Sequence, residues 1–198
     1  MQATVLGCLA ASGGRVEPAA LVEAHMARFG PASEYGALGR HDGIGAGDLP
    51  IDGPWRHGSI AGFLRNVAAG RQWPACGTRD GSSDCFVKIA PVVAAYAGTP
   101  ELLERVADVV RVTQNNRVTV AYAQAAARIL ENLVLRGTSG ADAVHAAADA
   151  LCNDACADGA AQIADELEAA AALASRHDNY LGAVVGFCGG RYNAVSVS

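Results

Sequence analysis

Charged and aromatic side chains are both scarce in this sequence. Only 18% of the 198 residues are charged and 6% are aromatic, whereas 51% are apolar. The formal net charge of −5 provides no basic surface for nucleic acid or for an anionic membrane. So large an apolar share excludes a disordered, highly charged chain. We therefore expect a folded protein without nucleic-acid or membrane partners.

Long apolar runs are absent as well. No run approaches the roughly 18–20 apolar residues that cross a bilayer. Residues 1–11 have no Lys or Arg ahead of their apolar stretch. The sequence thus predicts neither a membrane span nor a secretion signal. Its length suits one domain, covering residues 1–198, with a sizeable core.

The cysteines show no disulfide framework. They are scattered along the chain, which indicates reduced thiols in a cytoplasmic compartment: Cys8, Cys76, Cys85, Cys152, Cys156 and Cys188. On a helix, Cys152 and Cys156 would share a face, with His145 about two turns upstream. A metal site is one interpretation of this spacing. Buried apolar cysteine is the other, because the spacing is not specific to metal ligands.

Helical periodicity is the dominant local pattern, and it predicts an all-α fold, a compact multi-helix domain. Apolar residues recur with the spacing of one helix face, for example Ile60, Phe63, Leu64 and Val67. Surfaces rich in alanine and glycine also favour close helix packing over a sheet. The predicted helices cover residues 17–29, 60–68, 100–114, 118–136, 139–151 and 160–174.

Capping residues and turns set the predicted helix ends. Ser59 is predicted to cap the second of these helices and Gly70 to stop it. Thr99 is predicted to cap the third. The tight turn at residues 115–116 should bring its flanking helices into antiparallel contact, and Gly137 should end the longer one.

A long connector interrupts the helical pattern at residues 30–54. Its glycines and prolines break any regular element, and connectors of this length are either functional or mobile. Asp42 and Asp48, with glycines between them, faintly resemble a calcium loop. The alternating acidic ligands and the distal Glu of such a loop are missing. We therefore interpret the connector as a plain glycine-rich loop.

Several motifs carry a resemblance to a known family. They are residues 53–60 (GPWRHGSI), residues 70–77 (GRQWPACG), and residues 77–91 with their core DCFVK at 84–88. Thr113-Gln114-Asn115 and a long alanine-rich helix follow. This succession resembles the central helical segment of the ADP-ribosylglycohydrolase family, and in detail the branch that includes the J-class crystallins. The resemblance covers residues 6–137 and becomes weaker afterwards.

The resemblance implies an all-α fold and, in active relatives, a pair of magnesium ions that helps to cleave the glycosidic bond to ADP-ribose. Carboxylates can hold such ions so that they orient a ribose diol and a water. The family's ligands form an acidic cluster near the start and an Asp-x-Asp cluster near the end. Residues 1–4 and 189–192 stand at these places without them. We therefore expect no catalytic residues, no metal ligands and no cofactor in this chain.

Two interpretations of function remain open. In the first, the chain is an ADP-ribosylglycohydrolase-like protein that is inactive or truncated, the middle of the fold without its metal-bearing ends. In the second, it is a non-catalytic structural or binding protein, crystallin-like, on the same scaffold. Fold alone does not choose between them. A partial helical fold should also expose apolar helix faces, so we expect self-association.

The resemblance also implies a ligand-binding turn. Ser82, Ser83 and Asp84 occupy the place of a Ser-Asn-Gly turn that lies near ADP-ribose in active relatives, and Lys88 replaces the usual Arg. We predict that these four residues bind ADP-ribose or an ADP-ribosylated substrate, although Asp84 would repel a diphosphate. Gln114 stands where relatives often have His.

Residues 55–57 are a second candidate for a ligand cleft. Trp55, Arg56 and His57 combine an aromatic ring with basic groups that suit adenine and phosphate. In the alternative that we favour, Trp55 anchors the connector in the core while Arg56 and His57 face water.

Overall fold

The computed structural model describes residues 1–33, 35, 56–152 and 159–176, which form eight α-helices and one 3-10 helix. The α-helices are α1 (Gln2–Ala11), α2 (Pro18–Phe29), α3 (Gly58–Ala68), α4 (Ile89–Tyr96), α5 (Leu102–Arg111), α6 (Arg117–Arg136), α7 (Gly140–Cys152) and α8 (Ala160–Ala174). The 3-10 helix, Ser83–Lys88, leads directly into α4. Within the described ranges the backbone forms no strand beyond a single bridge, so the all-α prediction is confirmed.

The long helix α6 follows its sequence signals at both ends. The Asn116 side chain accepts hydrogen bonds from the backbone N–H groups of Val118 and Thr119, at 3.0 and 3.3 Å. Gly137 ends the helix in the left-handed conformation, with φ +59°. The Gln124 side chain donates to the carbonyl of Leu103 at 2.9 Å, across the two helices. This contact, far from the turn at residues 115–116, confirms that α5 and α6 run antiparallel.

Two predicted caps are wrong. Helix α3 begins at Gly58, so Ser59 lies inside the helix and its side chain is fully buried. Helix α5 begins at Leu102, after a turn in which the Thr99 hydroxyl donates backwards to the carbonyl of Tyr96. Both serine and threonine compete for nearby acceptors. Neither residue caps its helix, because the N-cap positions are occupied by His57 and Glu101 instead.

Helices α1 and α4 were not predicted, and α5 ends earlier than predicted. Helix α4 contains Pro91 in its first turn, where the missing N–H of proline has no intrahelical acceptor to lose. Helix α5 ends at Arg111 rather than near Gln114, because residues 113–115 pair with Thr78 instead of continuing the helix.

The core consists of two apolar clusters. The larger one gathers residues from α1, α2, α3, α4, α5 and the first half of α6, with Phe63, Val92 and Val106 at its centre. The smaller one joins α6, α7 and α8 through Ala125, Leu151 and neighbouring residues. Alanine dominates the smaller cluster, and its short side chains let the helices approach closely. None of the described helices combines the length and the apolar character needed to cross a membrane.

Some predictions fall outside the described residues. They include most of the glycine-rich connector, with the calcium-like residues Asp42 and Asp48 and the aromatic Trp55. They also include Cys156. The prediction that the whole chain forms one domain stays a prediction.

Candidate functional site

The predicted ligand-binding turn lies on a loop that is fastened to the end of α5. Thr78 and Gln114 form a short parallel bridge, in which the Thr78 N–H donates to the carbonyl of Thr113 at 3.0 Å. The N–H of Asn115 donates to the carbonyl of Thr78 at 2.6 Å. Gly77 permits this approach, because a Cβ at this position would lie 2.8 Å from the Asn115 nitrogen and overlap the carbonyl of Arg111.

The next residues of the loop are held by hydrogen bonds from the start of α6. The Asn116 side chain donates to the carbonyl of Arg79 at 3.2 Å, and the Thr119 hydroxyl donates to the carbonyl of Asp80 at 3.4 Å. The Asp80 carboxylate accepts from the Ser82 N–H at 2.8 Å, which closes a turn. Hydrogen bonds from within the protein therefore hold residues 79–82 of this loop.

Asp84 joins the 3-10 helix to the start of α3. The Ser59 hydroxyl donates to Asp84 Oδ2 at 2.5 Å, and His57 Nδ1 lies 3.2 Å from Asp84 Oδ1. The aspartate is 8% exposed and Ser59 is fully buried. Both oxygens of the carboxylate thus have partners within the protein.

Lys88 is fully buried, and its ammonium group has three acceptors. Nζ donates to the Thr113 hydroxyl at 2.6 Å, to the carbonyl of Val110 at 3.3 Å and to Gln114 Oε1 at 3.4 Å. Burial lowers the pKa of Lys88 to about 8, against an opposing effect from nearby acidic groups. Lys88 therefore connects the 3-10 helix to the end of α5 and has no hydrogen left for a ligand.

Gln114 connects Lys88 to the predicted ligand-binding turn. Its side-chain oxygen accepts from Lys88, while its nitrogen donates to the carbonyl of Ser82 at 2.8 Å. The residue is completely buried. A glutamine amide offers both a donor and an acceptor, so it can bridge a cation and a carbonyl. The sequence showed Gln114 only as a departure from the family pattern, and not this bridging role.

The four predicted ligand-binding residues lie together but in different environments. Ser82 and Ser83 are exposed at the surface of the loop, whereas Asp84 and Lys88 lie beneath them. The structure therefore leaves the two hydroxyls accessible and gives the two charged groups internal partners. Binding of a ligand by these residues stays a prediction.

Residues 56 and 57 do not simply face water. The Arg56 guanidinium donates to the carbonyl of Phe29 at 2.9 Å, and His57 contacts Asp84. Arg56 thus links the start of α3 to the end of α2. Sequence reasoning missed these contacts, because nothing in the local pattern indicates partners 27 residues away.

Magnesium, the ion that the resemblance implies for active relatives, does not fit the acidic residues at this loop. Both oxygens of Asp84 have protein partners, and Asp80 is engaged by the Ser82 N–H and lies close to Gly58. Among the described residues no three His, Cys, Asp or Glu side chains are grouped to hold a metal ion. Mg²⁺ requires an octahedral set of oxygen ligands.

His145, which belongs to the metal-site interpretation of Cys152 and Cys156, has a different partner in the structure. His145 contacts the carboxylate of Glu168 at 2.8 Å, which ties α7 to α8. This partner raises the pKa of His145. Cys152 is an exposed free thiol. Whether Cys156 joins it is outside the described residues.

His25 is a polar residue in the interior of the protein. It lies on α2, between the rings of Phe29 and Phe63, and is fully buried. His25 Nδ1 contacts the carbonyl of Leu21 at 2.8 Å, and Nε2 has no hydrogen-bond partner. Burial lowers the pKa of His25 to about 4, so the ring is neutral at pH 7.

Comparisons with known proteins extend the resemblance along nearly the whole chain. The sequence profile described as ADP-ribosylglycohydrolase matches residues 1–195, well past residue 137. Crystallin J1A of Tripedalia cystophora is 37% identical over 116 residues, which is 59% of this chain and 34% of the crystallin. Crystallin J1B of the same organism gives the same values. This chain thus spans about a third of the length of either crystallin. No solved structure matches it. The match to the family profile covers far more than half of the sequence, and the chain therefore belongs to the ADP-ribosylglycohydrolase family.

Proposed function

We propose that this chain does not by itself hydrolyse ADP-ribosyl bonds and that its loop at residues 80–84 binds ADP-ribose or an ADP-ribosylated substrate. One observation carries the first part: the Asp84 carboxylate is bound by Ser59 and His57. The sequence also contains no Asp-Asp or Asp-x-Asp pair. Magnesium-assisted cleavage needs carboxylates that converge on the ion.

The proposed binding surface consists of Ser82 and Ser83. Their hydroxyl groups are exposed, and the loop beneath them is fixed by Gln114 and Asp80. A hydroxyl can both donate to and accept from a ribose diol. A rigid loop loses little conformational entropy when a ligand binds. This arrangement supports binding of a sugar more than binding of a phosphate, since Asp84 lies close by.

A hydrolysis assay tests the first part of the proposal. The full chain is incubated with an ADP-ribosylated peptide and magnesium, and released ADP-ribose is measured by chromatography. We expect no release above the buffer blank. Magnesium-dependent release that is lost in Asp84→Ala but kept in Asp165→Ala would place an active site at this loop and overturn the proposal. Asp165 is the matched control, because it is a carboxylate on α8.

A titration tests the second part. Heat of binding is measured while ADP-ribose is added to the full chain and to the double variant Ser82→Ala/Ser83→Ala. We expect the double variant to bind at least about tenfold more weakly, since each lost hydrogen bond is worth about 0.5–1.5 kcal/mol. Ser175→Ala is the control, because Ser175 is an exposed serine after α8 whose hydroxyl donates to its own helix. Equal affinity in the double variant and the control would contradict binding at this loop.

A non-catalytic structural role is the second candidate, and the similarity to crystallins J1A and J1B favours it. For this chain such a role requires a protein that stays monomeric and dissolved at high concentration. Light scattering as a function of concentration measures this. Monomeric behaviour without ADP-ribose binding would support the structural role over the binding role.

We also place the protein in the cytoplasm. The support is the state of the cysteines that the structure describes, since Cys8, Cys76, Cys85 and Cys152 are free thiols. Reduced thiols are typical of that compartment. Localisation of a fluorescent fusion of the full chain tests this, and a signal confined to a membrane-bound compartment would contradict it.

A further inference from the structure

A polar cleft lies between α6 and α7, far from the loop at residues 80–84. It has a volume of about 130 Å³ and is lined by Arg128, Glu131, Asn132, Arg136, Ala146 and Ala150. Arg128 lies 12 residues after Asn116, the cap of α6, which corresponds to about 18 Å along the helix axis. The cleft and the loop are therefore separate places on the molecule.

The basic residues of the cleft have no partners among residues 1–33, 35, 56–152 and 159–176, the part of the chain that the structure describes. Neither Arg128 nor Arg136 makes an ion pair or hydrogen bond with the part of the chain that the structure describes, and the same holds for the Asn132 side chain. Glu131 also lines the cleft, and one of its oxygens accepts from the Gly98 N–H at 2.8 Å. With two arginines and one glutamate, the lining carries a formal charge of +1.

The spacing of these residues suits a single small anion. Arg128, Asn132 and Arg136 are four residues apart, so they share one face of α6, and the two arginine Cα atoms are about 12 Å apart. Their long side chains can converge from both ends, with the Asn132 amide between them. Ala146 and Ala150 form the opposite wall, and their methyl groups leave the space open. Guanidinium groups bind the oxygens of phosphate with paired hydrogen bonds.

We propose that the cleft formed by Arg128, Asn132 and Arg136 binds a small oxyanion of the phosphate class, either inorganic phosphate or the phosphate group of a small monoester. Its volume has room for several water molecules, or for a phosphate with a short part of the molecule that carries it. The site is independent of the proposed ADP-ribose loop.

A purely structural role for Arg136 makes a different prediction. Arg136 lies in the last turn of α6, where a cation interacts favourably with the unpaired carbonyl groups. That role predicts that Arg136→Gln lowers the unfolding temperature and that phosphate has no specific effect. The proposed site predicts saturable binding, which also depends on Arg128 and Asn132.

Calorimetric titration of the full chain tests the site, with inorganic phosphate in one arm and glycerol 2-phosphate in the other, at constant ionic strength in chloride. We expect saturable binding in at least the phosphate arm. Arg128→Gln and Arg136→Gln should each weaken it roughly tenfold or more, because each removes charge-assisted hydrogen bonds. Binding in the monoester arm alone would identify an organic phosphate as the ligand and would still support the site.

Asn132→Asp is the variant that best separates loss of binding from loss of folding. It preserves the shape of the side chain while placing a negative charge between the two arginines, so it should abolish binding even where Arg136→Gln fails to fold. Arg15→Gln is the control, since it makes the same charge change on an exposed arginine that is paired with Glu17, between α1 and α2. Heats that do not saturate in either arm, or equal affinity in Asn132→Asp and Arg15→Gln, would overturn the proposal.

Discussion

Lys88 and His25 are both fully buried, but they are in opposite charge states at pH 7. Lys88 keeps its charge at pH 7 because three acceptors surround Nζ, although burial lowers its pKa to about 8. His25 has one contact for two ring nitrogens, and burial keeps it neutral. At the residue scale, the number of hydrogen-bond partners decides whether a buried group stays charged.

The first prediction concerns acid stability. The pKa of His25 falls from its ordinary 6.5 to about 4 in the folded protein. Because folding lowers this pKa, the stability that depends on neutral His25 is fully present above pH 6.5. It is lost as the pH falls towards 4, by up to about 3 kcal/mol. In His25→Leu this loss should disappear. Urea unfolding at pH 7 and at pH 4 measures the difference.

The control for this prediction is His145, a histidine whose pKa shifts in the opposite direction on folding. Glu168 raises the pKa of the exposed His145, so its contribution is present at low pH and lost as the pH rises. His145→Gln should therefore leave the acid-dependent loss intact. If His25→Leu lost as much stability between pH 7 and pH 4 as the parent protein, the burial argument for His25 would be wrong.

The second prediction uses the fact that Lys88 is the single lysine of the sequence. Its pKa falls from 10.5 to about 8, so unfolding free energy should rise with pH between about 8 and 10.5, by up to about 3 kcal/mol. Lys88→Met should remove this rise.

A native amine-labelling experiment gives a second readout, because only the amino terminus should react until the protein unfolds. Rapid acylation of Lys88 in the native protein would contradict its burial.

At the element scale, sequence signals predicted helices well where the cap and the stop are local. Gly137 ends α6 as predicted, and Asn116, predicted only as part of the turn before this helix, caps its start. Ser59 misled the prediction: it lies inside α3, and its hydroxyl donates to Asp84, which is 25 residues away. The same kind of long-range contact explains why the site could be predicted only in part. Ser82 to Lys88 were located by resemblance, while the partners of Asp84 and Lys88 lie at the start of α3 and at the end of α5 and just beyond it.

The third prediction compares two glycines that lie inside helices. A Cβ at Gly62 of α3 would overlap the methyl group of Thr78. Thr78 is already held in place, because its hydroxyl donates to the carbonyl of Thr113. At Gly7 of α1 a Cβ would meet nothing within 4 Å. Gly62→Ala should therefore destabilise the protein by about 1–3 kcal/mol. Gly7→Ala should stabilise it by about 0.5–1 kcal/mol, because alanine loses less backbone entropy in a helix.

Chemical denaturation of both variants measures the difference. The two substitutions add the same methyl group in the same secondary structure. Opposite effects on the free energy of unfolding would therefore isolate the packing between α3 and the loop at Thr78. Equal effects of the two substitutions would mean that α3 does not pack this closely against the loop.

At the scale of the whole molecule, apolar periodicity predicted the fold class because each helix needs to bury one face. It did not predict which faces meet. Different residues of α6 belong to the larger cluster and to the alanine-rich cluster, so this helix packs against two separate sets of neighbours. Such a division depends on contacts between distant segments, which local periodicity does not encode.

The fourth prediction follows from apolar side chains that the described helices leave uncovered. Val134 and Leu135, at the end of α6, are 67% and 54% exposed, and Leu6 on α1 is 57% exposed. Adjacent exposed apolar residues favour association more than a single one does. We expect the average mass in light scattering to rise with concentration, and the double variant Val134→Gln/Leu135→Gln to suppress this rise.

Leu6→Gln is the matched control for self-association, because it makes the same kind of change at an isolated exposed leucine. If the adjacent pair on α6 drives association, this control should associate like the parent protein. A rise in mass that Leu6→Gln suppresses and the double variant does not would place the contact on α1 instead. A constant monomer mass up to high concentration would contradict self-association altogether. That outcome would favour the crystallin-like role, since a structural protein that accumulates to high concentration has to keep its exposed apolar side chains from associating.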